Sequence, residues 1–375
     1  MMLNRLYVNN FKCLVNFEMS LAKNHSALLI GRNGSGKSSV ANVLEFFQRI
    51  GRGENRLEKL VKEEDFCLFM QPKTPMRLEL EVCIDDKIYS YALEIEYPSG
   101  FHAARVVSEK MSVDGTPRFE RHKAQTKVTS RSTEFFVDWH MIALPIIQDT
   151  GNKDSLVVFR NWLKQMMILR PIPSQMNCEA KSDDESLIED NGRNIASWLS
   201  DMLSNHPAAY SDMSEQLKQI FPDFHSFIFQ STGKNAKELI VRFDRESDSI
   251  QLPMNLLSDG EKCLLLSSIV CSAAKQYNVP FCFWDEPGNY VSLEELDNFV
   301  RSLRRIFEKK NGQLIVVSHS EQAIKGFADE NTWLFERKSH LEPTLPLQSV
   351  EDLRNSGRFS GELIQALNSG DIYAS

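Results

Sequence analysis

No C-x-x-C pair occurs among the seven cysteines, which are odd in number and scattered along 375 residues. That spacing argues against a zinc knuckle or a disulfide framework, so all seven read as small buried hydrophobes in a reducing compartment. Positive charge is not in excess either. Lys and Arg total 43 against 51 Asp and Glu, a net charge of -8, so any nucleic-acid surface has to be a local patch. Long apolar runs are missing as well: MMLNRLYVNNFK has no signal-peptide core, and CLLLSSIVCSAA (263 to 274) is too short to cross a bilayer. The expectation is a soluble, cytoplasmic protein without a membrane partner. No repeat of fixed period and no long heptad run is found, which argues against a solenoid or a long coiled coil. What is present is globular, with 42% apolar and 25% charged residues and enough length for a core with a sizeable insertion.

The opening reads as strand, turn, strand (LNRLYVNNF, then CLVNFEMSL). A further strand, SALLI, leads into a glycine-rich loop and a helix with apolar Val40, Val43, Leu44, Phe47 and Ile50. From Met76 to Val137 short alternating runs such as RLELEVCI and KIYSYALEIEY are broken by DD, PSG and VDGTP, which predicts a β-meander. Residues 153 to 222 read as mostly helical, on FRNWLKQMMIL and NIASWLSDMLSNH. Between these two lies EAKSDDESLIED, six acids against one base, expected as a solvated loop. After LIVRFD, strands and helices alternate again: a helix from 259, a strand near 279 to 284, a helix from 293, the strand QLIVVS and a last helix from 320. The expected division is 1–75 and 241–375 for the two parts of a nucleotide-binding core, 76–150 for a β-rich subdomain and 151–240 for a helical lobe.

Four motifs carry chemistry. Gly31-Arg32-Asn33-Gly34-Ser35-Gly36-Lys37-Ser38 fits G-x-x-x-x-G-K-[ST], in which backbone N–H groups from Asn33 through Ser39 wrap phosphates, Lys37 reaches the outer ones and Ser38 meets magnesium. Second, the run Val279 to Trp284 ends in Asp285 and Glu286: a metal-shell carboxylate and a general base if a phosphate loop is present, an ordinary turn otherwise. Third, Leu257-Ser258-Asp259-Gly260-Glu261-Lys262 opens an apolar helix. Ser258 and Glu261 form a capping box in sequence, and Ser258 with Gly260 can also make a second phosphate-binding helix end, one that serves a nucleotide on a neighbouring chain. Fourth, His319 follows the strand LIVV and is placed to read a γ-phosphate.

In this order, NNFK, GRNGSGKSS, LLSDGEK, WDEP and VVSHS resemble the ATP-binding-cassette ATPases of the SMC, RecF and OLD class. Within that class the chain is similar to the stand-alone ATPases grouped as AAA-21, some of which serve bacterial anti-phage systems. The resemblance implies an α/β P-loop NTPase of ABC-head type, with a β-meander subdomain and a helical lobe inserted between the phosphate loop and LLSDGEK. Two chains would sandwich two ATP molecules with magnesium. Lys37 and Ser38 of one chain would face Ser258 and Gly260 of the other, with Asp285, Glu286 and His319 completing hydrolysis. The class also has a glutamine loop at the magnesium site; Gln148 in MIALPIIQDTG is the candidate, and an ordinary surface glutamine is the alternative. After Glu286, Pro287 to Ser292 lacks the acids of the class's dimer-contact loop, and Ser292 with Glu295 reads as a helix cap.

For nucleic acid, the basic stretch is RHKAQTKVTSR, with Arg121, Lys123, Lys127 and Arg131, either a phosphate-contacting hairpin or a solvated loop. In RSLRRIFEKK from 301, Leu303, Ile306 and Phe307 mark the buried face of an amphipathic helix. The functional expectation is a dimeric, nucleotide-gated switch acting on a separate effector such as a nuclease or toxin. The alternative is a RecF- or SMC-like DNA repair ATPase.

Overall fold

The structure, a computed structural model, describes all residues except 23, 68–73, 99, 101–102, 130–131, 149–150, 152–153, 182–186, 234, 278 and 374–375. In chain order the elements are β1 (Met2–Asn9), β2 (Phe17–Ser20), β3 (Ser26–Gly31), α1 (Lys37–Gly51), α2 (Leu57–Leu60), β4 (Met76–Ile84), β5 (Lys87–Glu96) and β6 (Arg105–Val113). There follow β7 (Thr116–His122), β8 (Gln125–Val128), β9 (Thr133–Phe136), α3 (Ser155–Gln165), β10 (Met167–Leu169), β11 (Glu179–Lys181), α4 (Ile195–Asn205) and α5 (Ala209–Ile220). The chain continues through β12 (Phe224–Ser231), β13 (Ala236–Arg245), β14 (Asp248–Pro253), α6 (Asp259–Gln276), β15 (Phe281–Asp285), α7 (Leu293–Lys309), β16 (Gln313–Val317) and α8 (Glu321–Lys325). It ends with β17 (Thr332–Phe335), β18 (Gln348–Ser349), α9 (Val350–Asn355) and α10 (Leu363–Ser369). Two compact units form, one from Met1–Met166 with Ala328–Ser375, the other from Met167–Phe327. Among the described residues no helix is long and apolar enough to cross a membrane.

In the first unit, the meander joins the opening strands in one eight-stranded antiparallel sheet, ordered β2-β1-β4-β5-β6-β7-β8-β9. Its strands alternate as a half-buried sheet must: Leu78, Leu80 and Val82 of β4 are buried and alternate with Arg77, Glu79 and Glu81. The inner face packs on helices, with the Tyr91 ring 6.0 Å from Phe47 of α1 and 5.7 Å from Phe159 of α3. Val40, Val43, Leu44, Phe47 and Ile50 of α1 are all buried, as their helical spacing requires. Beside this sheet, β3 pairs in parallel with β17, and β17 pairs antiparallel with β18.

In the second unit, β10, β15 and β16 run parallel. The wholly buried runs FCFW and QLIVV suit strands covered on both faces. Helix α6 is buried nearly all round from Lys262 to Ala274, whereas α7 buries only the stripe Leu296, Val300, Leu303 and Phe307. Ile306, expected on that stripe, is half-buried. A separate antiparallel sheet is ordered β11-β13-β12, with β14 also on β13.

Several expectations need correction. The run FRNWLKQMMIL is not one helix: α3 stops at Gln165, and Met167–Leu169 pairs in parallel with β15. A short run that is apolar at every position fits a buried helix or a buried strand equally, and sheet pairing decides it. The helix near 320 is not the last element, since β17, β18, α9 and α10 follow it. Arg121 is no nucleic-acid contact, because its side chain is fully buried against Glu109. Lys127 pairs with Glu134 at 3.5 Å, and Arg131 lies outside the described residues, as do residues 182–186 of the acidic segment. Six of the seven cysteines are buried, all are free, and Cys83 is half-buried.

Candidate functional site

In the first unit the glycine-rich loop leaves β3 at Gly31 and enters α1 at Lys37. Gly36 makes the turn possible: it sits at φ 112°, and a Cβ there would lie 2.6 Å from Thr344 Oγ1 and 3.2 Å from Cys13 Sγ. No side chain caps α1, so the positive end of its dipole is left to the loop. Backbone bonds from Ser35 N to Arg32 O (3.2 Å) and from Ser39 N to Gly36 O (3.0 Å) set the curvature. Lys37 is buried, and its ammonium donates to the carbonyls of Gly31 (2.6 Å) and Arg32 (3.0 Å), which holds the charge at the loop. Asn33, Gly34 and Ser38 are exposed, while Ser39 is buried with Oγ 3.5 Å from Cys13 Sγ. Ser35 is buried too, and its hydroxyl has no hydrogen-bond partner among the described residues. A held ammonium, an uncapped helix end and an unsatisfied buried hydroxyl together fit a ligand with several anionic oxygens.

Gln148, in the same unit, is exposed and ends a tightly held segment. The Glu109 carboxylate accepts from the N–H groups of Ala143 (2.8 Å) and Leu144 (2.9 Å), and Arg160 donates to the carbonyls of Leu144, Pro145 and Ile147. Glu109 also accepts from Tyr91 (2.9 Å) and lies 3.5 Å from Arg121 Nη1. Burial pushes the Glu109 carboxyl up and the Arg121 and Arg160 guanidinium groups down.

In the second unit, parallel pairing of β15 with β16 sets Asp285 opposite Val317, so the residues after each strand emerge side by side. Glu286 takes the left-handed conformation (φ 49°) and its N–H donates to Val317 O at 2.9 Å. That turn brings Glu286 Oε1 within 3.3 Å of His319 Nε2, both side chains partly exposed. Such a pair can take up and orient a proton at a solvent-facing site.

Ser258 caps α6 as its spacing requires. Its Oγ accepts from Glu261 N at 3.3 Å, and the Glu261 carboxylate accepts from Ser258 N and from Ser258 Oγ, each at 2.7 Å. Gly260 is needed for a close approach, since a Cβ there would stand 2.7 Å from Tyr290 O. The start of α6 thus packs on the loop that follows Glu286. Ser292 caps α7 with Glu295 in the same way. Leu256, Tyr290 and Leu293 stay more than half exposed near these helix starts.

The structure therefore gathers Asn33 to Ser39 in one unit and, in the other, Asp285, Glu286 and His319 at two strand ends, with Ser258, Gly260 and Glu261 at a helix start. Sequence reasoning missed the support of the phosphate loop by Cys13, Arg337 and Thr344. None of the three lies in a motif, and only the parallel pairing of β3 with β17 brings the last two near.

A family model described as an AAA ATPase domain matches residues 1–161. No curated protein matches the chain. Among solved structures, the SMC head bound to the C-winged helix domain of ScpA is similar with a TM-score of 0.58 at 14% identity, over 94% of this chain and 99% of that one. The SMC head with an extended coiled coil from Pyrococcus furiosus, bound to the C-terminal domain of ScpA, gives 0.52 at 14% identity, over 94% and 98%. At that identity the likeness speaks for the fold. The chain has the mixed α/β fold of the SMC ABC-ATPase heads, of P-loop NTPase type.

Proposed function

We propose that the chain binds ATP with magnesium and hydrolyses it, that two chains enclose two nucleotides, and that the cycle switches a separate effector protein in anti-phage defence. The observation that carries the hydrolytic reading is the contact between Glu286 and His319 at the ends of two neighbouring parallel strands, in a chain that also has a phosphate loop. Lys37 and the loop N–H groups hold the phosphates, and Ser38, Asp285 and Gln148 are the groups for the metal. Magnesium, when bound with the nucleotide, neutralises charge on the phosphate oxygens. Glu286 takes the proton from the attacking water, and His319 orients that carboxylate and reads the γ-phosphate. Ser258, Gly260 and Glu261 act on the nucleotide of the facing chain, with the Ser258 hydroxyl turning its hydrogen from Glu261 to phosphate by rotation about one bond.

The defence role and the nuclease or toxin effector follow from the family resemblance. A protein partner is also in keeping with the two similar SMC heads, which were solved with a domain of ScpA bound. Burial of Arg121 takes one basic side chain away from the surface that the DNA-repair alternative would use.

The experiment has two arms. Calorimetry should show ATP binding by the wild type and none by Lys37→Ala; wild-type affinity in the variant would sink the nucleotide reading. Tagged protein purified from its host, with and without Glu286→Gln, should bring down a stoichiometric protein. Recovery of DNA alone, with ATPase stimulated several-fold by DNA ends, would move the assignment to repair.

A further inference from the structure

We infer that Thr344, on the turn between β17 and β18, is a positioning residue that orients the N–H of Gly36 for phosphate, with Arg337 of the same turn bracing the loop beside it. The inference rests on the ATP-binding reading. Thr344 is buried, and its Oγ1 donates to the Ser35 carbonyl at 2.8 Å while its N–H donates to Cys13 O at 2.9 Å. In a trans peptide the C=O of one residue and the N–H of the next point in opposite directions. Holding the Ser35 carbonyl on Thr344 therefore turns the Gly36 N–H away from Thr344, toward the concave side of the phosphate loop. Gly36 cannot carry a side chain here because Thr344 occupies the space a Cβ would need, so the glycine and the threonine form one device.

The turn that presents Thr344 is itself closed. Leu345 N donates to Glu336 O at 2.9 Å, and Arg337 donates from Nε to Glu342 O (2.7 Å) and from Nη2 to His340 O (2.8 Å). From that fixed position Arg337 Nη1 reaches the Gly34 carbonyl at 3.4 Å, so two successive carbonyl-bearing positions of the loop, 34 and 35, are held by this one turn. A threonine hydroxyl has one hydrogen to give; the shorter contact assigns it to the Ser35 carbonyl rather than to Cys13 Sγ at 3.4 Å.

The test is Thr344→Val, which keeps the shape and removes the donor, set beside Thr344→Ser, which restores it. Calorimetry with ATP and magnesium should give about tenfold weaker binding for valine, because the nucleotide must then order the loop itself, and a value within about twofold of wild type for serine. Steady-state assays should place the loss in KM rather than kcat, while the thermal melt of the nucleotide-free protein falls by no more than about 4 °C, the size of one lost hydrogen bond. Wild-type affinity in Thr344→Val, or a serine variant as weak as valine, overturns the inference while leaving ATP binding intact. If the wild type binds no ATP, the nucleotide reading falls and the inference with it. Should Thr344→Val not fold, Arg337→Gln, at a half-buried position of the same turn, supplies the second measurement: weaker ATP binding in a folded variant supports the bracing role, and unchanged affinity overturns it.

Discussion

His319 Nε2 lies 3.3 Å from Glu286 Oε1, although 33 residues separate the two in the chain. Parallel registry of Asp285 with Val317 sets their backbones side by side, and the left-handed turn at Glu286 swings its carboxylate toward the ring. The pair is a property of the sheet, and under the proposed hydrolytic role its substitutions should separate binding from turnover.

Glu286→Gln is expected to keep ATP affinity and to lower kcat by about two to four orders of magnitude, the usual contribution of a positioned general base. His319→Ala should lower kcat in the same direction, and the double variant should lose far less than the product of the two, because the residues act as a unit. Single-turnover hydrolysis under saturating ATP measures this. Additive losses would mean that the two side chains work separately.

If Ser258 serves a facing chain, mixing Lys37→Ala with Ser258→Arg subunits should recover part of the ATPase that each variant lacks alone. In a mixed dimer one composite site carries both defects and the other carries neither. Titrating one variant into the other while following phosphate release should give a maximum at intermediate ratio, whereas a flat response argues for sites within single chains.

Glu109→Ala should cost about 3–5 kcal/mol of stability, because Arg121 would remain buried without its carboxylate and two N–H groups would lose their acceptor. Urea unfolding monitored by circular dichroism gives the number. A loss below about 1 kcal/mol would show that water replaces the carboxylate.

Burial pushes the thiols of Cys263 and Cys271 up to about 12 and raises that of Cys282 as well. At pH 8 the native protein should therefore leave these three unmodified by a thiol-reactive disulfide reagent, while all seven cysteines react after denaturation. Above the ordinary thiol value of 9.0 the unfolded chain releases protons that the folded chain keeps, so stability should fall as pH rises through that range. Stoichiometric labelling of Cys271 in the native state at pH 8 would contradict the packing of α6.

Motifs confined to one local element are legible in the amino-acid sequence. The glycine-lysine loop between β3 and α1 and the capping boxes at Ser258 and Ser292 each depend on residues within a few positions of one another. Contacts set by sheet pairing are not legible in that way. Arg121 reads as a solvated base because the alternation of β7 gives no hint that Glu109 stands opposite it, and Met167–Leu169 reads as helical because its period is indistinguishable at three residues. Thr344 carries no signal, since a single threonine in a turn acquires meaning only from the loop it touches.

Pairing of β3 with β17 also has a consequence for synthesis. The strand that leads into the phosphate loop is made early, but its partner residues Thr332–Phe335 come about 300 residues later, which at roughly 5–20 residues per second is a delay of about 15–60 s. Throughout that interval the nascent chain has one side of β3 without its native neighbour and the loop without the turn that holds Ser35 and Gly34. Nucleotide capture by the nascent chain should therefore be weaker until Thr344 has been made and has reached the Ser35 carbonyl.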